Sequence, residues 1–292
     1  MRRNKMIAAL EIKNLQKNYD AFSLKNVSFI VPEGYIVGFI GPNGSGKTTT
    51  IKSVLKMITP SSGEISLFGQ QNTDVNISVS DDIGIVMDSP FYVNEWTMID
   101  VEKAVSIFYS KWNSEKYVQL LERFGIDKSK KVKELSRGMK VKLMLSVALS
   151  HGAKLLILDE PTSGLDPVAR DELCEILLEF VEDESHSVLF STHITSDLEK
   201  IADYIVFILN GEIVYNGTKE ELLDKYVLVK GGLDEINAEH KKYIIGLREY
   251  PTGFEGMATL ENLQELPTSL LVEPISLEEI IIYMNKEDKV HE

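Results

Sequence analysis

The sequence predicts an α/β protein in two parts, a sheet-based domain over residues 1–224 and a small α+β appendage over residues 225–292. Up to about Gly217, short β-branched runs alternate with longer amphipathic stretches, which is typical of the strands and helices of an α/β domain. The last quarter of the chain is also more acidic than the rest. The chain has 292 residues and a net charge of −14, and residues 219–292 alone hold 8 Lys or Arg against 16 Asp or Glu.

Hydrophobic periodicity predicts the individual elements in chain order. Strands of the first domain are expected near 8–13, 25–31, 35–40, 64–68, 83–87, 155–158, 187–191, 204–209 and 212–216. Helices are expected near 46–57, 99–111, 114–124, 137–150, 167–183 and 195–201. The appendage has weaker patterns, with strands at 226–230 and near 243–249 and a helix at 276–286, where Ser276 and Glu279 match a capping box.

The composition is that of an ordinary globular protein, with 43% hydrophobic and 26% charged residues. Its acidic balance argues against nucleic acid as a partner, because that affinity comes mainly from Lys and Arg neutralising phosphates. A single cysteine, Cys174, rules out an internal disulfide and suits a reducing compartment. Glu11 interrupts the apolar start too early for a signal peptide, and no apolar run approaches the length of a membrane span. We therefore expect a cytoplasmic chain.

The most informative stretch is the predicted strand 35–40, which runs through a glycine-rich loop into a helix. The loop reads Gly-Pro-Asn-Gly-Ser-Gly-Lys-Thr over residues 41–48 and matches G-x-x-x-x-G-K-[ST] in its required setting. The glycines let backbone N–H groups form a concave nest, and the helix points its positive end at the same place. Such a nest holds phosphate, with Lys47 reaching the β and γ phosphates and the Thr48 hydroxyl ligating Mg²⁺. The alternative is a glycine-rich turn with an incidental lysine.

Two carboxylates end a second predicted strand, in the sequence Leu-Leu-Ile-Leu-Asp-Glu over residues 155–160. Asp159 is placed to hold Mg²⁺ through water, and Glu160 can accept a proton from an attacking water. Paired acids at a strand end are often only a solvated loop, but beside a phosphate loop the functional interpretation is favoured. The next strand ends in Ser191-Thr192-His193, at the edge where open α/β sheets bind ligands. His193 is therefore a candidate, although a lone histidine is often structural.

Three further motifs surround these two in a fixed order. Leu-Ser-Arg-Gly-Met over residues 135–139 heads an amphipathic helix, Ser-Gly-Leu-Asp over residues 163–166 follows the carboxylates, and His193 comes next. An aromatic residue, Tyr19, lies upstream of the phosphate loop. In this order and spacing, residues 6–217 resemble the ATPases of ATP-binding cassette (ABC) transporters.

The resemblance implies a P-loop NTPase cassette with a mixed sheet core and a helical subdomain over about residues 89–150, and an enzyme that hydrolyses ATP with Mg²⁺. In that family an aromatic ring at the position of Tyr19 stacks on adenine, and His193 would contact the γ-phosphate. Two cassettes pair head to tail, so Ser136 and Gly138 would complete the site of the second cassette, and Asp166 would link the two sites. The phosphates would be held by Gly41, Pro42, Asn43, Gly44, Ser45, Gly46, Lys47, Thr48 and Thr49.

The chain departs from the family pattern at two places. The usual signature Leu-Ser-Gly-Gly-Gln has Arg137 in its third position and Met139 in its fifth, and Asp88 stands where the family commonly has glutamine. The signature helix still has Ser136 as a good N-cap and Gly138 for a close backbone approach. Asp88 has a shorter side chain than glutamine, but an added water could bridge it to Mg²⁺. We therefore expect hydrolysis to survive.

The partners follow from the same resemblance. A transmembrane permease subunit would lie on a separate chain, with this chain peripheral on the inner face of the membrane, and the second cassette would be another copy or a different protein. Tyr92 and Trp96 are the better candidates for contact with the permease, whereas the spacing of Phe108, Tyr109 and Trp112 fits a helix core equally well.

The motifs and the short appendage look most like bacterial exporters of drugs, antimicrobial peptides or other amphipathic molecules. One alternative is a soluble ABC ATPase acting on nucleic acid or ribosomes. It is disfavoured by the acidic charge and by the single cassette without a coiled-coil insertion. Another alternative is a regulatory cassette that binds ATP without hydrolysing it.

Overall fold

The computed structural model describes residues 8–71, 81–88 and 90–288. The predicted start of the helical subdomain at residue 89, and the residues before Ala8, lie outside this described part. The chain divides into two compact units between Asn216 and Gly217, ahead of the boundary that we place after residue 224. In the described residues, no helix is both long and apolar enough to cross a bilayer.

The elements of the first unit alternate as the sequence predicts. Its strands are β1 (Ala8–Asn18), β2 (Ser23–Pro32), β3 (Ile36–Ile40), β4 (Ser62–Leu67), β5 (Gln70–Gln71), β6 (Ile83–Val86), β7 (Leu155–Asp159), β8 (Ser187–Thr192), β9 (Tyr204–Leu209) and β10 (Glu212–Thr218). Its helices are α1 (Lys47–Val54), α2 (Met98–Ser106), α3 (Ser114–Arg123), α4 (Arg137–Ser150), α5 (Pro167–Val181) and α6 (Thr195–Ile201).

A six-stranded sheet in the order β10-β9-β3-β8-β7-β6 carries the site. Strands β9, β3, β8, β7 and β6 pair in parallel, so their carboxyl ends meet at one edge. Strands β3, β7 and β8 are buried along their whole length, which explains the apolar runs within them. The register places Ile40 beside Thr192 and Asp159 beside Ser191, so the segments that follow these strands emerge side by side.

A second sheet, antiparallel and four-stranded, has the order β2-β1-β4-β5 and shares a core with the first. The side chains of β1 and β2 alternate between buried and partly exposed positions, so one face of this sheet packs inward. Phe29 of β2 and Phe39 of β3 meet in this core with their ring centroids 5.2 Å apart. The core fixes the phosphate loop at the end of β3.

The helical segment between β6 and β7 begins each of its helices with a side-chain cap. Thr97 and Asp100 form a capping box on α2, Asn113 caps α3, and Ser136 caps α4 by accepting a hydrogen bond from the Met139 amide at 3.3 Å. Tyr117 is fully buried, and its hydroxyl donates to the Met98 carbonyl at 3.1 Å.

The aromatic residues after α2 do not form one helix face, because α2 ends at Ser106 instead of continuing to residue 111. Phe108 is 73% exposed. Tyr109 stacks on His151 with the ring centroids 4.0 Å apart, and Trp112 lies 5.4 Å from Tyr117. Tyr109 and Trp112 are only partly buried, so the core interpretation is wrong for Phe108 and only partly right for the other two.

The second unit is an α+β fold with the strands β11 (Tyr226–Gly231), β12 (Ile245–Tyr250), β13 (Gly253–Thr259) and β14 (Leu271–Pro274). They form an antiparallel sheet in the order β12-β13-β11-β14. Helix α7 (Lys219–Lys225) precedes the sheet, and α8 (Leu277–Asp288) packs on β12 and β13. The capping box predicted at the start of α8 is present, because the Glu279 amide donates to the Ser276 hydroxyl and the Ser276 amide donates to the Glu279 carboxylate.

Candidate functional site

The loop between β3 and α1 has a backbone that only glycine can follow at several positions. Gly44 has φ +82° and Gly46 has φ +114°, both in the left-handed region. At Gly41 an added Cβ would lie 2.3 Å from the Ile208 carbonyl oxygen, so any side chain there would collide with β9. Among the described residues, the buried Ser45 hydroxyl has no hydrogen-bond partner. The glycine pattern therefore corresponds to a tight, concave loop with an unsatisfied polar group.

Replacing Gly46 by alanine should destabilise the protein more than the same change at Gly44. Both positions carry left-handed strain, but a Cβ at Gly46 would lie 2.5 Å from Leu24 and 2.9 Å from Phe22, whereas a Cβ at Gly44 meets nothing within 4 Å. Overpacking of this kind costs about 1–3 kcal/mol. Urea unfolding of the two variants measures the difference. Equal losses of unfolding free energy would mean that the packing beneath Gly46 yields without cost.

Lys47 begins α1 and is buried beneath the loop, with 5% of its side chain exposed. Its ammonium donates to the Gly41 carbonyl at 2.7 Å and to the Pro42 carbonyl at 3.2 Å. It also lies 3.3 Å from Glu160 Oε1. A buried ammonium requires such partners because an unpaired charge is costly away from water. Lys47 is thus held at the point where the loop and the end of β7 meet.

A chain of hydroxyl and carboxylate groups lies next to Lys47. Thr48 Oγ1 donates to Asp159 Oδ2 at 2.8 Å, and Ser191 Oγ donates to Asp159 Oδ1 at 3.0 Å. Burial raises the pKa of Asp159 above its ordinary value, and the two hydrogen bonds act in the opposite direction. The parallel register of β7 and β8 explains the contact with Ser191, a residue whose role no sequence motif indicates.

These groups have the chemistry of a Mg²⁺ site. A carboxylate and a hydroxyl are hard oxygen ligands, and Asp159 and Thr48 already touch. The described residues contain no cluster of three or more His, Cys, Asp or Glu side chains that could hold a metal alone. Mg²⁺ needs no such cluster, because it is commonly bound through one or two carboxylates together with substrate phosphates and water. Thr48 and Asp159 therefore fit the ion.

Glu160 follows β7 directly, and both of its carboxylate oxygens have a partner. Oε1 lies 3.3 Å from the Lys47 ammonium, and Oε2 lies 2.7 Å from His193 Nδ1. A carboxylate can only accept, so Nδ1 must carry the hydrogen in this contact. The Nε2 atom of His193 can then donate to another group only when the ring is protonated.

Asp88 and Arg137 form an ion pair through Asp88 Oδ1 and the guanidinium of Arg137. Asp88 follows β6, and Arg137 is the first residue of α4. The position of Asp88 beside the phosphate site is the one that we predict, but its described partner is a side chain of the helical segment. This contact joins two of the three residues at which the chain departs from the family pattern.

One cavity of about 600 Å³ brings most of these side chains together. The cavity spans the phosphate loop, the ends of β6, β7 and β8, and the start of α4. Its walls are formed by Asn43, Thr48, Lys52, Met57, Met87, Asp88, Phe91, Arg137, Asp159, Glu160, Ser163 and His193. Lys47 lies beneath it and contacts Glu160. The chemistry predicted from separate motifs is therefore assembled in one place.

Of the site residues predicted outside residues 41–49, four do not line this cavity. Tyr19 is 48% exposed, and the Lys17 ammonium lies 5.4 Å from its ring centroid. Asp166 caps α5 by accepting hydrogen bonds from the amides of residues 168 and 169, each at 3.0 Å. Ser136 and Gly138 lie in the cap and first turn of α4. Within one chain, the side chains of Asp166 and Ser136 cap the amino-terminal ends of α5 and α4.

Comparison with known proteins gives one consistent result. A sequence model of the family described as ABC transporter matches residues 24–163. A lantibiotic transport ATP-binding protein, SrtF of Streptococcus pyogenes, is 35% identical over 228 residues, which cover 75% of this chain and 97% of the relative. The ABC-type transporter ATP-binding protein EcsA of Bacillus subtilis is 33% identical over 242 residues, or 81% of this chain and 98% of the relative.

Solved structures show the same fold. The ATP-binding subunit of an ABC transporter superimposes with a TM-score of 0.66 and 31% identity, covering 73% of this chain and 91% of that one. A second structure, cbiO1 from Clostridium perfringens, described as part of an ABC transporter complex, has a TM-score of 0.63 and 25% identity.

Proposed function

The chain belongs to the ABC transporter family of ATP-binding proteins, and from that premise we propose that it hydrolyses ATP to drive a transmembrane subunit on a separate chain. The observation that carries the proposal is the single cavity shared by the phosphate loop, Asp159, Glu160 and His193. Each of these groups suits one task in phosphoryl transfer to water.

ATP would be held along the phosphate loop. The backbone N–H groups between Gly41 and Thr49 and the start of α1 would face the phosphates, and Lys47 supplies a buried positive charge. Exposed Tyr19 would stack on the adenine ring. Thr48 and Asp159 would hold Mg²⁺, which neutralises phosphate charge when it is bound.

Hydrolysis requires a base near the terminal phosphate, and Glu160 is the candidate. A water oxygen would attack the γ-phosphorus from the side opposite the β–γ bridging oxygen. The bond between the γ-phosphorus and that bridging oxygen would break as the new bond forms, and ADP would leave. Glu160 would take the proton from that water, and His193 in its protonated form would donate from Nε2 to the γ-phosphate. The contact between Glu160 and His193 supports a role for both side chains in the same hydrolysis step.

A second cassette is the expected partner, either another copy or a different protein. Ser136 and Gly138 lie at the amino-terminal end of α4, where backbone N–H groups favour anions, yet they do not line the cavity of their own chain. They are available to complete the nucleotide site of another cassette. Asp166, on the loop before α5, would lie between the two sites.

The transmembrane subunit would contact the segment that follows β6. Phe91, Ile107 and Phe108 are all more than 70% exposed there, and large exposed apolar side chains mark interaction sites. Phe91 also lines an apolar cavity of about 220 Å³ whose walls include Tyr92 and Tyr109. Such a contact would place the chain on the inner face of the membrane.

Export is the direction that we propose, with drugs, peptides or other amphipathic molecules as cargo. The relative from Streptococcus pyogenes is named as a lantibiotic transport protein, which supports this choice.

Phosphate release from MgATP tests the function, first with the purified chain and then with the chain co-purified with a candidate membrane-spanning partner subunit. We expect hydrolysis in both preparations and a changed rate with the membrane protein. Changing exposed Phe108 to serine should weaken the co-purification, whereas serine at exposed Val214 of β10 serves as a matched control. ATP binding without hydrolysis in either preparation would instead identify a regulatory cassette.

A further inference from the structure

Helix α6, which follows His193, is short and depends on its neighbours for its position. It covers Thr195–Ile201, only seven residues, and a helix of this length is not stable by itself in water. Leu198 packs it tightly on the sheet, because an added Cβ at Gly38 of β3 would lie 2.8 Å from Leu198 Cδ1. Apolar packing is not directional, so a further contact is needed to fix the rotation of α6.

An ion pair between α5 and α6 supplies that contact. Arg170, near the start of α5, donates to Asp197 Oδ1 from Nε at 3.1 Å and from NH2 at 2.5 Å. The NH2 atom also donates to Ser196 Oγ at 3.0 Å. The side chains of Arg170 and Asp197 are 24% and 6% exposed, respectively. The pair is therefore directional and largely shielded from water.

The carboxylate of Asp197 is an expensive way to hold two helices together. Its Oδ2 atom is buried and has no hydrogen-bond partner among the described residues. A buried oxygen without a partner costs free energy, and apolar residues of similar size often replace buried ion pairs without loss of stability. The pair differs from apolar packing in that it specifies one orientation of α6 relative to α5.

The orientation of α6 affects where the His193 ring lies. A single residue, Ile194, separates His193 from the helix, and the Ile194 amide donates to Thr192 Oγ1 at the end of β8, at 3.0 Å. The His193 side chain is 42% exposed, so packing does not enclose the ring, and its Nδ1 atom lies 2.7 Å from Glu160 Oε2. A rotation of α6 would therefore act directly on the contact with Glu160.

We propose that Arg170 and Asp197 are positioning residues for hydrolysis. Their ion pair sets the rotation of α6 and thereby holds the His193 ring against Glu160 at the wall of the nucleotide cavity. Neither Arg170 nor Asp197 lines that cavity, so the pair acts only through His193. This inference rests on the proposed function, because it requires His193 to take part in hydrolysis.

The first measurement follows the His193 ring by NMR without nucleotide, in protein with isotope-labelled histidine. H193Q identifies the resonances of this ring, and we expect a hydrogen-bonded Nδ1 proton in the wild type. In R170Q that resonance should be lost, because the contact with Glu160 loosens. The matched control is D171N, since Asp171 joins the same two helices through Lys200 at 2.7 Å, but with both side chains more than half exposed. Exposed pairs contribute little, so D171N should leave the resonance unchanged.

The second measurement is ATP hydrolysis by the same variants. R170Q should lower kcat by about tenfold and change the KM for MgATP by less than about twofold. The loss is smaller than the roughly 10²–10³-fold effect of removing such a donor altogether, because the ring is displaced but still present. D171N should keep the wild-type kcat.

The outcomes separate this inference from the proposed function. If the wild-type chain hydrolyses no ATP, the proposed function fails, whereas the His193 resonance in R170Q still decides whether the pair holds the ring. An unchanged resonance in folded R170Q overturns the inference, whatever its rate. A lost resonance with an unchanged kcat overturns it too, because the position of the ring would then not matter for hydrolysis.

A second variant, D197N, guards against misfolding of R170Q. Asparagine keeps the shape of the side chain and an oxygen that accepts from Arg170, but a hydrogen bond to a neutral acceptor is about half as strong as one to a carboxylate. We expect a weakened His193 resonance and a kcat about two- to fivefold lower. A D197N protein with the resonance and the rate of the wild type would contradict the role of the pair.

Discussion

Replacing Glu160 by glutamine should lower the rate of ATP hydrolysis by about 10²–10⁴-fold, the usual effect of removing a positioned general base. Glutamine has nearly the shape of glutamate and can still accept a hydrogen bond from His193 Nδ1, which lies 2.7 Å from Glu160 Oε2. It cannot take a proton from water. ATP binding and ATP-dependent pairing should therefore be retained.

A phosphate-release assay with a parallel nucleotide titration measures this result. The control is Glu172→Gln, because Glu172 pairs with Lys142 at 2.6 Å and does not line the cavity. That change should leave the rate within about twofold of wild type, as expected for a surface substitution. Near-wild-type turnover in Glu160→Gln would show that another group activates the water.

Replacing Lys47 by alanine should weaken nucleotide binding by about 10- to 10²-fold, because a buried charge-assisted contact with phosphate contributes about 1.5–3 kcal/mol. Lys47 is the cation beneath the cavity floor, in contact with Gly41, Pro42 and Glu160. Its removal takes away the charge that balances both the phosphates and Glu160.

The titration is best paired with thermal unfolding, since Lys47→Ala also leaves Glu160 without one of its partners. Lys200→Ala removes the same charge from an exposed pair with Asp171 and should bind nucleotide normally. Unchanged affinity in Lys47→Ala, with a folded protein, would contradict the phosphate-loop assignment.

The sequence predicts the fold well where periodicity is strong, and the family and its α/β cassette are confirmed by the comparisons. The prediction from sequence fails where tertiary contacts determine the end of an element. Helix α2 ends at Ser106 although the spacing of the next aromatics favours a longer helix. The segment after α2 instead places Tyr109 on His151 and lets Ser110 and Lys111 bond with Asp81 and Asp82.

The sequence does not predict two strands of the appendage, β13 and β14. In β13, Gly253 and Gly256 interrupt the apolar pattern that would indicate a strand. The strand nevertheless lies in the middle of its sheet. Strand β14 is short and ends in Pro274. Its pairing with β11 supplies the stability that its own sequence does not indicate.

The candidate site was predictable in its parts but not in all of its contacts. The strand-end positions of Asp159, Glu160 and His193 follow from the order of motifs, and their catalytic roles stay predictions. The pairing of Asp88 with Arg137 joins residues 49 positions apart in the chain. No local pattern predicts such a contact, because it depends on how the helical segment packs beside β6.

The backbone conformation of Glu160 affects which substitutions would stabilise the protein at this position. Its φ of +51° lies in the left-handed region, which costs a residue with a Cβ about 1–2 kcal/mol and costs glycine much less. Selection for heat resistance alone would therefore favour glycine or asparagine at the position of the proposed base. A substitution that raises stability at this position is therefore expected to lower turnover. Thermal resistance is a poor guide to which substitutions preserve activity there.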